Sequence, residues 1–511
     1  MKLNQLILTA IVGAQFALPL FAADSEATNS TGAAQSESPA LTAGGTAASA
    51  AETEEIEDLK REIQALDQKV QNLEKQHQSQ QQAIIATNQE QIQELDQKVR
   101  VLSRQHELDQ ETAEAAAKLQ PRFKLDSSGF LFTSADTNFS IGLHGLVQLD
   151  SRTYLGNNNV ANSGFLLRRA RPIIVGTVFH DFDYNLTPDF GGGTVQIVDA
   201  YINYHYDPQL QLEAGKFKPP VGLEALQSDA NLYLNERSLV TDLVPNRDVG
   251  LELHGDLFGG AISYAAAIMD GAPDYSSTTV NTNLDSDLAY YGRIFVQPWI
   301  TSDVDLLRGL GFGVGGSYED ASGVNGLTAG YTTDGQQRFF TYTPAAGTTI
   351  ANGQHWRLSP QSYYYYGPLG LMGEYAISDQ NVRNGAATAN LQNTAWEVQG
   401  GWVLTGEDAS YNGVTPRHPF KPLSGGWGAW QVVGRYEQLN VDSAAFPTFA
   451  SSAASASAAR AWSAGLNWYL NRNIRFDASY SHTTFSGYTG PSPAVPAKGE
   501  DVFFTRIQLA F

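Results

Sequence analysis

There is no cysteine anywhere in the chain, so disulfides and thiolate metal sites are excluded. Charge is scarce as well: Asp, Glu, Lys and Arg make up 17% of the residues, against about 25% in an ordinary soluble domain. Positive charge is in deficit throughout. The net charge is −21; residues 1–120 hold 9 Lys and Arg against 18 Asp and Glu, leaving 23 against 35 for the rest. Both parts are acidic, which argues against nucleic acid as a partner. Beyond residue 21 no apolar run approaches the roughly 20 residues that a spanning helix needs. Such a chain enters a membrane only as strands. What it has in quantity is glycine, 48 residues, and aromatics, 11%, which suit turns and interfacial belts.

The amino terminus carries an address. Lys2 precedes an apolar run from Leu6 to Phe21, followed by the small residues Ala22 and Ala23, the pattern of a secretory signal peptide over 1–22. Residues 23–52 are mostly Ala, Ser, Thr, Gly and Glu, with too little to bury, and read as a disordered linker. The period then changes. Ile56, Leu59, Ile63, Leu66, Val70 and Leu73 step by three and four between charged and Gln residues, a heptad seam that predicts a coiled coil over 53–119. Ile63, Leu66, Val70, Leu73 and His77 return as Ile92, Leu95, Val99, Leu102 and His106, a copy 29 residues on. Twenty-nine residues over about eight turns is close to the roughly 3.6 of a straight helix, so the left-handed supercoil relaxes between copies. Such a stripe calls for self-association. Ile or Val at a with Leu at d favours two strands by rule. His77 and His106 read as buried polar residues that fix register rather than as metal or pH sites.

Pro121 ends the helix. From 121 to 511 the chain reads as short strands, Gly-rich or Asn-rich loops and tight turns. Phe139, Ile141, Leu143, Val147 and Leu149 alternate with Ser140, His144, Gln148 and Asp150; Ile474, Phe476, Ala478 and Tyr480 alternate with Arg475, Asp477, Ser479 and Ser481. Period two on this scale, with alternately short and long connections, predicts an all-β, antiparallel transmembrane β-barrel preceded by a periplasmic α-helical coiled coil. Roughly 390 residues fit about 16 strands, with 18 as the alternative. The links at 180–183, 207–209 and 471–473 are expected to be periplasmic, and those at 219–248, 272–287, 408–423 and 442–459 external. No blade-like repeat supports a propeller. Tyr363-Tyr-Tyr-Tyr366 reads as interfacial belt and lumen stacking. Nine scattered His and no Gly-x-Ser-x-Gly give no triad signature, so no enzyme, catalytic residue, cofactor or metal is assigned.

The basic residues of 165–218 stand out in so acidic a chain. A ring of Arg or Lys selects anions in a low-dielectric constriction, and Arg clamps two phosphate oxygens. Arg168 and Arg169 are adjacent, so a regular strand cannot aim both at the lumen. Either they lie at a strand end or Pro172 marks a bulge. Lys216 and Lys218 share parity with Leu210, Leu212 and Ala214, which requires a bulge at Gly215 or a place at the rim.

Leu166-Leu-Arg-Arg-Ala-Arg171, the corner Asp181-Phe-Asp-Tyr184, Asp199-Ala-Tyr201, Gly215-Lys-Phe-Lys-Pro-Pro-Val-Gly-Leu-Glu224, Asn235-Glu-Arg-Ser-Leu239 and Gly465-Leu-Asn-Trp-Tyr469 together resemble the phosphate- and polyphosphate-selective porin O and P family. The resemblance covers the barrel part, in order. It implies a homotrimer of sixteen-stranded barrels in the outer-membrane lipid of a Gram-negative bacterium, each with its own pore for small anions such as phosphate. Three chains sit uneasily with the two-stranded rule for the coil, which is not part of the family's core pattern. The resemblance also implies a pore narrowed by an inward-folded loop, here Pro219 to Asp248, and lined by cations. The family's arginine pair falls on Arg168 and Arg169, and its moderating aspartate on Asp189. With Arg171, Lys216, Lys218 and Arg237 these form the candidate anion site. One departure stands out: the family's phosphate-binding form has a lysine shortly before the Glu-Arg pair, and here the position is Ala230. The runner-up reading is therefore a general porin for small hydrophilic solutes, the coil acting as a spacer to peptidoglycan or another periplasmic partner.

Overall fold

The computed structural model describes residues 50–118, 120–156, 162–277, 288–327, 330–342, 348–489 and 499–511. The expected signal peptide and nearly all of the expected linker lie outside these residues.

Helix α1 (Ala50–Lys118) runs for 69 residues. Charged pairs one turn apart support it, Lys98 to Glu94 and Arg100 to Asp96, each at 2.8 Å. Its seam residues Ile56, Leu59, Ile63, Leu66, Val70 and Leu73 are all exposed, so the chain itself leaves the stripe uncovered.

The rest forms strands: β1 (Arg122–Asp126), β2 (Gly129–Thr133), β3 (Ser140–Leu155), β4 (Gly164–Val178), β5 (Phe182–Asp189), β6 (Gln196–Asp207), β7 (Leu210–Phe217), β8 (Asp248–Leu257), β9 (Ile262–Met269), β10 (Ala289–Val296), β11 (Leu310–Gly326), β12 (Gly330–Thr332), β13 (Arg338–Thr341), β14 (Ile350–Tyr366), β15 (Leu369–Asn384), β16 (Ala387–Val403), β17 (Ala429–Asn440), β18 (Ala458–Tyr469), β19 (Ile474–Ser486) and β20 (Glu500–Ala510). Strand β3 pairs with both β4 and β20, so β3–β11 and β14–β20 close into a sixteen-stranded antiparallel barrel. Closure leaves no lipid-facing edge. The hairpin β1–β2 fills the slot beside β3 that β20 does not reach. Strand β2 pairs with Ser140 to Leu143, β20 with Leu146 to Leu155. Between them Phe511 exchanges backbone bonds of 2.9 and 3.0 Å with Gly145.

Side chains alternate across the wall as period two demands. On β20, Phe503, Ile507 and Leu509 face outward, while Arg506 and Gln508 are buried in the lumen. On β19, Ile474 and Phe476 are outside and Arg475, Asp477, Ser479 and Ser481 are buried. The connections at 179–181, 208–209, 367–368 and 470–473 share one end of the barrel. The segment 408–423, expected to be external, belongs to that same end. It joins β16 to β17, Ala409 N donating to Gly367 O at 2.8 Å and Phe420 N to Leu470 O at 2.6 Å. Its length suggested an outer loop, but strand parity decides the end, and counting through the two-residue link at 385–386 puts it with the turns.

The apolar core lies inside the barrel, where long connections from the opposite end fold inward. Leu239, Val240 and Leu243 pack with Tyr331, Phe339, Phe340, Leu439 and Phe449. The tip of β12–β13 reaches the far wall: Asp334 accepts from Arg435 Nη2 at 2.7 Å and from Ser463 and Ser481 Oγ at 2.9 Å each.

Val398 lies on the outer face of β16 between Trp396 and Trp402. Val398→Arg is expected to cost about 2–4 kcal/mol, as a cation does near the bilayer midplane. Reversible denaturant unfolding in lipid checks this; an unchanged midpoint would contradict the lipid-facing assignment.

Candidate functional site

The site begins with one extra residue. Gln148 of β3 pairs with Arg169, but Leu149 pairs with Leu167, so Arg168 is a β-bulge. A bulge shifts side-chain phase by one. Arg168, Arg169 and Arg171 therefore all line the lumen. Of the two alternatives, a strand end or a bulge at Pro172, neither holds: the arginines lie within β4 and Pro172 sits in register opposite Gly145. Lys216 also lines this space. Both ladders stay in register from Gln211 to Lys216, the one slip of the β6–β7 ladder lying at Tyr206, and the change of phase occurs at Gly215, whose φ of +139° favours glycine.

Across from these cations lies the inward-folded segment between β7 and β8. It crosses close enough to the wall that a Cβ on Gly315 would meet Val221 O at 2.2 Å. Its peptide groups are satisfied by lumen side chains. Glu374 of β15 accepts from Leu223 N and Glu224 N at 3.0 Å each, and Glu437 of β17 accepts from Leu239 N at 2.7 Å. Arg435 donates to Glu236 O at 3.0 Å, Arg475 to Leu232 O at 3.1 Å and Asn467 to Tyr233 O at 2.9 Å. From the turn end, Tyr411 Oη donates to Leu223 O at 2.6 Å.

Two loop carboxylates face the arginines. Glu236 accepts from Arg168 at 2.7 and 3.0 Å and from Arg152 at 2.9 Å. Asp229 meets Arg169 at 3.0 Å and also holds Arg171 and Arg237. Arg237 further donates to Glu224 O and Gln227 O at 3.0 and 2.7 Å. Asp189 ends β5 by accepting from Ala170 N, Gly191 N and Arg171 Nε at 3.0, 2.8 and 2.7 Å. Lys218 is half-buried and donates to Leu226 O and Gln227 O at 3.2 and 2.7 Å. It braces the loop's base and stands apart from the lining.

A cavity of about 310 Å³ remains beside this wall, and six of the seven candidate residues line it: Arg168, Arg169, Arg171, Asp189, Lys216 and Arg237. Arg247, Glu236, Asp229 and Asp242 complete its charged lining, giving six cations against four carboxylates. Burial raises the Asp229 and Glu236 carboxyls, but the surrounding guanidiniums outweigh it and hold both below the usual range. Six against four leaves the lining net positive, and burial pushes the Asp242 carboxyl well up. Arg168 is the most accessible of the wall arginines, its side chain 25% exposed against 4% for Arg169. Lys216 makes no ion pair among the described residues. Sequence reasoning did not place Arg152, Asp229, Glu236, Asp242 or Arg247 at the site. Arg152 was within reach, since it shares parity with Gln148 and Asp150.

Glu374→Ala removes two charge-assisted bonds, each worth about 1.5–3 kcal/mol, and frees the start of the inward loop. Larger and noisier single-channel conductance is expected in planar bilayers; wild-type traces would show that this carboxylate does not seat the loop.

The phosphate-selective porin O and P family profile matches residues 141–511. The chain is similar to Porin O of Pseudomonas aeruginosa, 23% identical over 414 residues, which cover 75% of this chain and 91% of that protein. Among solved structures it is similar to the outer membrane channel DcaP of Acinetobacter baumannii, at 12% identity and TM-score 0.48 over 75% of this chain and 100% of that one. It is also similar to OmpF of Salmonella typhi in complex with daunomycin, at 13% identity and TM-score 0.45 over 76% and 100%. The protein is an outer-membrane channel rather than an enzyme, and the chain belongs to the phosphate-selective porin O and P family.

Proposed function

We propose that the channel passes small anions, phosphate and pyrophosphate among them, by passive diffusion along the wall of β4 to β7. The observation that carries this is the excess of cations around the cavity, with Lys216 in no ion pair among the described residues and Arg168 the most open of the wall guanidiniums. An anion sheds part of its water shell only where fixed cations replace it. Arg168 and Arg169 are the direct contacts, Arg171, Lys216 and Arg237 extend the field, Asp189 moderates it, and Lys218 holds the loop in place. The second reading, a general porin for small hydrophilic solutes, draws on the four carboxylates of the lining and on Ala230.

Three chains assemble, with α1 in the periplasm. The uncovered stripe of α1 supports self-association, and 69 residues at about 1.5 Å each span on the order of 100 Å, enough for a spacer or tether to peptidoglycan.

Reversal potentials in a salt gradient are expected to show anion preference, and added phosphate to block chloride current. Arg168→Ala with Arg169→Ala is expected to weaken that block about tenfold, or 1.4 kcal/mol. Equal block in the variant would remove the arginines from the site, and cation preference in the wild type would leave the general porin. Deleting residues 50–118 is expected to reduce envelope attachment and leave conductance intact; loss of conductance would refute a spacer role.

A further inference from the structure

We propose that the turn end of the barrel carries a divalent transition-metal site, of the kind zinc or nickel occupies, formed by His180, Asp181 and His205. One donor atom from each of the three lies within 4.8 Å of the other two. His180 Nδ1 and Asp181 Oδ1 are 2.9 Å apart. Two ligands of a tetrahedral ion with bonds of about 2.0–2.2 Å stand about 3.3 Å from each other, so this pair already spans one edge of such a polyhedron. His205 comes from the neighbouring strand, at the foot of β6.

An exposed His beside an Asp is commonplace. A second imidazole brought into register by the backbone is not. His205 N donates to Asp181 O at 2.9 Å and His180 N to Asn138 O at 3.0 Å, which fixes the two turns against each other. Ring centroids of His180 and His205 are 6.3 Å apart. The side chains of His180 and Asp181 are 68% and 52% exposed, open to an ion from solution and free to rotate onto it.

The outer partner is present too. Asp183 Oδ2 lies 2.8 Å from His205 Nδ1, and its other oxygen accepts from Thr177 Oγ1 at 2.8 Å. A carboxylate held beside a ligating imidazole orients the ring and raises its basicity. With no cysteine in the chain, imidazole and carboxylate donors are what a borderline-soft ion would find here. Three protein donors leave a fourth position for water or for an oxygen of a passing anion.

The test uses the untagged full chain folded in detergent, titrated with zinc chloride by calorimetry and with cobalt chloride by visible absorbance. The wild type is expected to bind one ion per chain that His180→Ala with His205→Ala does not bind. Asp183→Asn is expected to weaken binding about tenfold. Asp181→Asn gives a second reading should the double variant lose the heat-modifiable migration of a folded barrel. Equal zinc binding by wild type and ligand variants, or none by the wild type, overturns the site and leaves the channel assignment untouched.

Discussion

A polypeptide that crosses the inside of a barrel carries amides and carbonyls that must find partners, and here the wall supplies them as charged side chains. Glu374 and Glu437 take amide hydrogens of the inward segment, while Arg435 and Arg475 take its carbonyls. Burying such groups is tolerable only when each is paired. The segment is thus seated by bonds of fixed direction as well as by apolar contact.

Arginines predominate on one side of the lumen and glutamates on another. Arg152, Arg168, Arg169, Arg171 and Arg506 come from β3, β4 and β20; Glu374, Glu397 and Glu437 come from β15 to β17. The crossing segment matches both, turning Asp229 and Glu236 to the arginines and main-chain amides to the glutamates. Arg506, fully buried, is held by Asp150 at 2.6 and 2.8 Å. In the proposed function the solute path runs beside Lys216, which makes no ion pair among the described residues, and Arg168, the most exposed of the wall guanidiniums.

Strand parity made much of this legible in advance. The alternation of Ile474, Phe476 and Arg475, Asp477 set both faces of β19, and the inward course of 219–248 followed from the family resemblance. Phase was harder. One inserted residue flips every later side chain, and Arg168 looks like any other arginine in the sequence; Pro172, a residue known for bulges, was the more visible suspect. Gly215 changes phase through φ alone, without any slip of register. The placement of 408–423 depended on counting strands through a link as short as Gly385 and Ala386. His205 meets His180 only because two turns lie side by side.

First and last strands of this cylinder are out of step, and without β1 and β2 the stretch from Ser140 to Leu143 would offer bare peptide groups to any stray chain. Because the hairpin's pairing stops at Leu143 and Phe511 docks at Gly145, the polypeptide brings its own measuring rod to its seam. Two separate parts of the polypeptide, the hairpin and the closing strand, thus share the cover of β3 between Ser140 and Leu155.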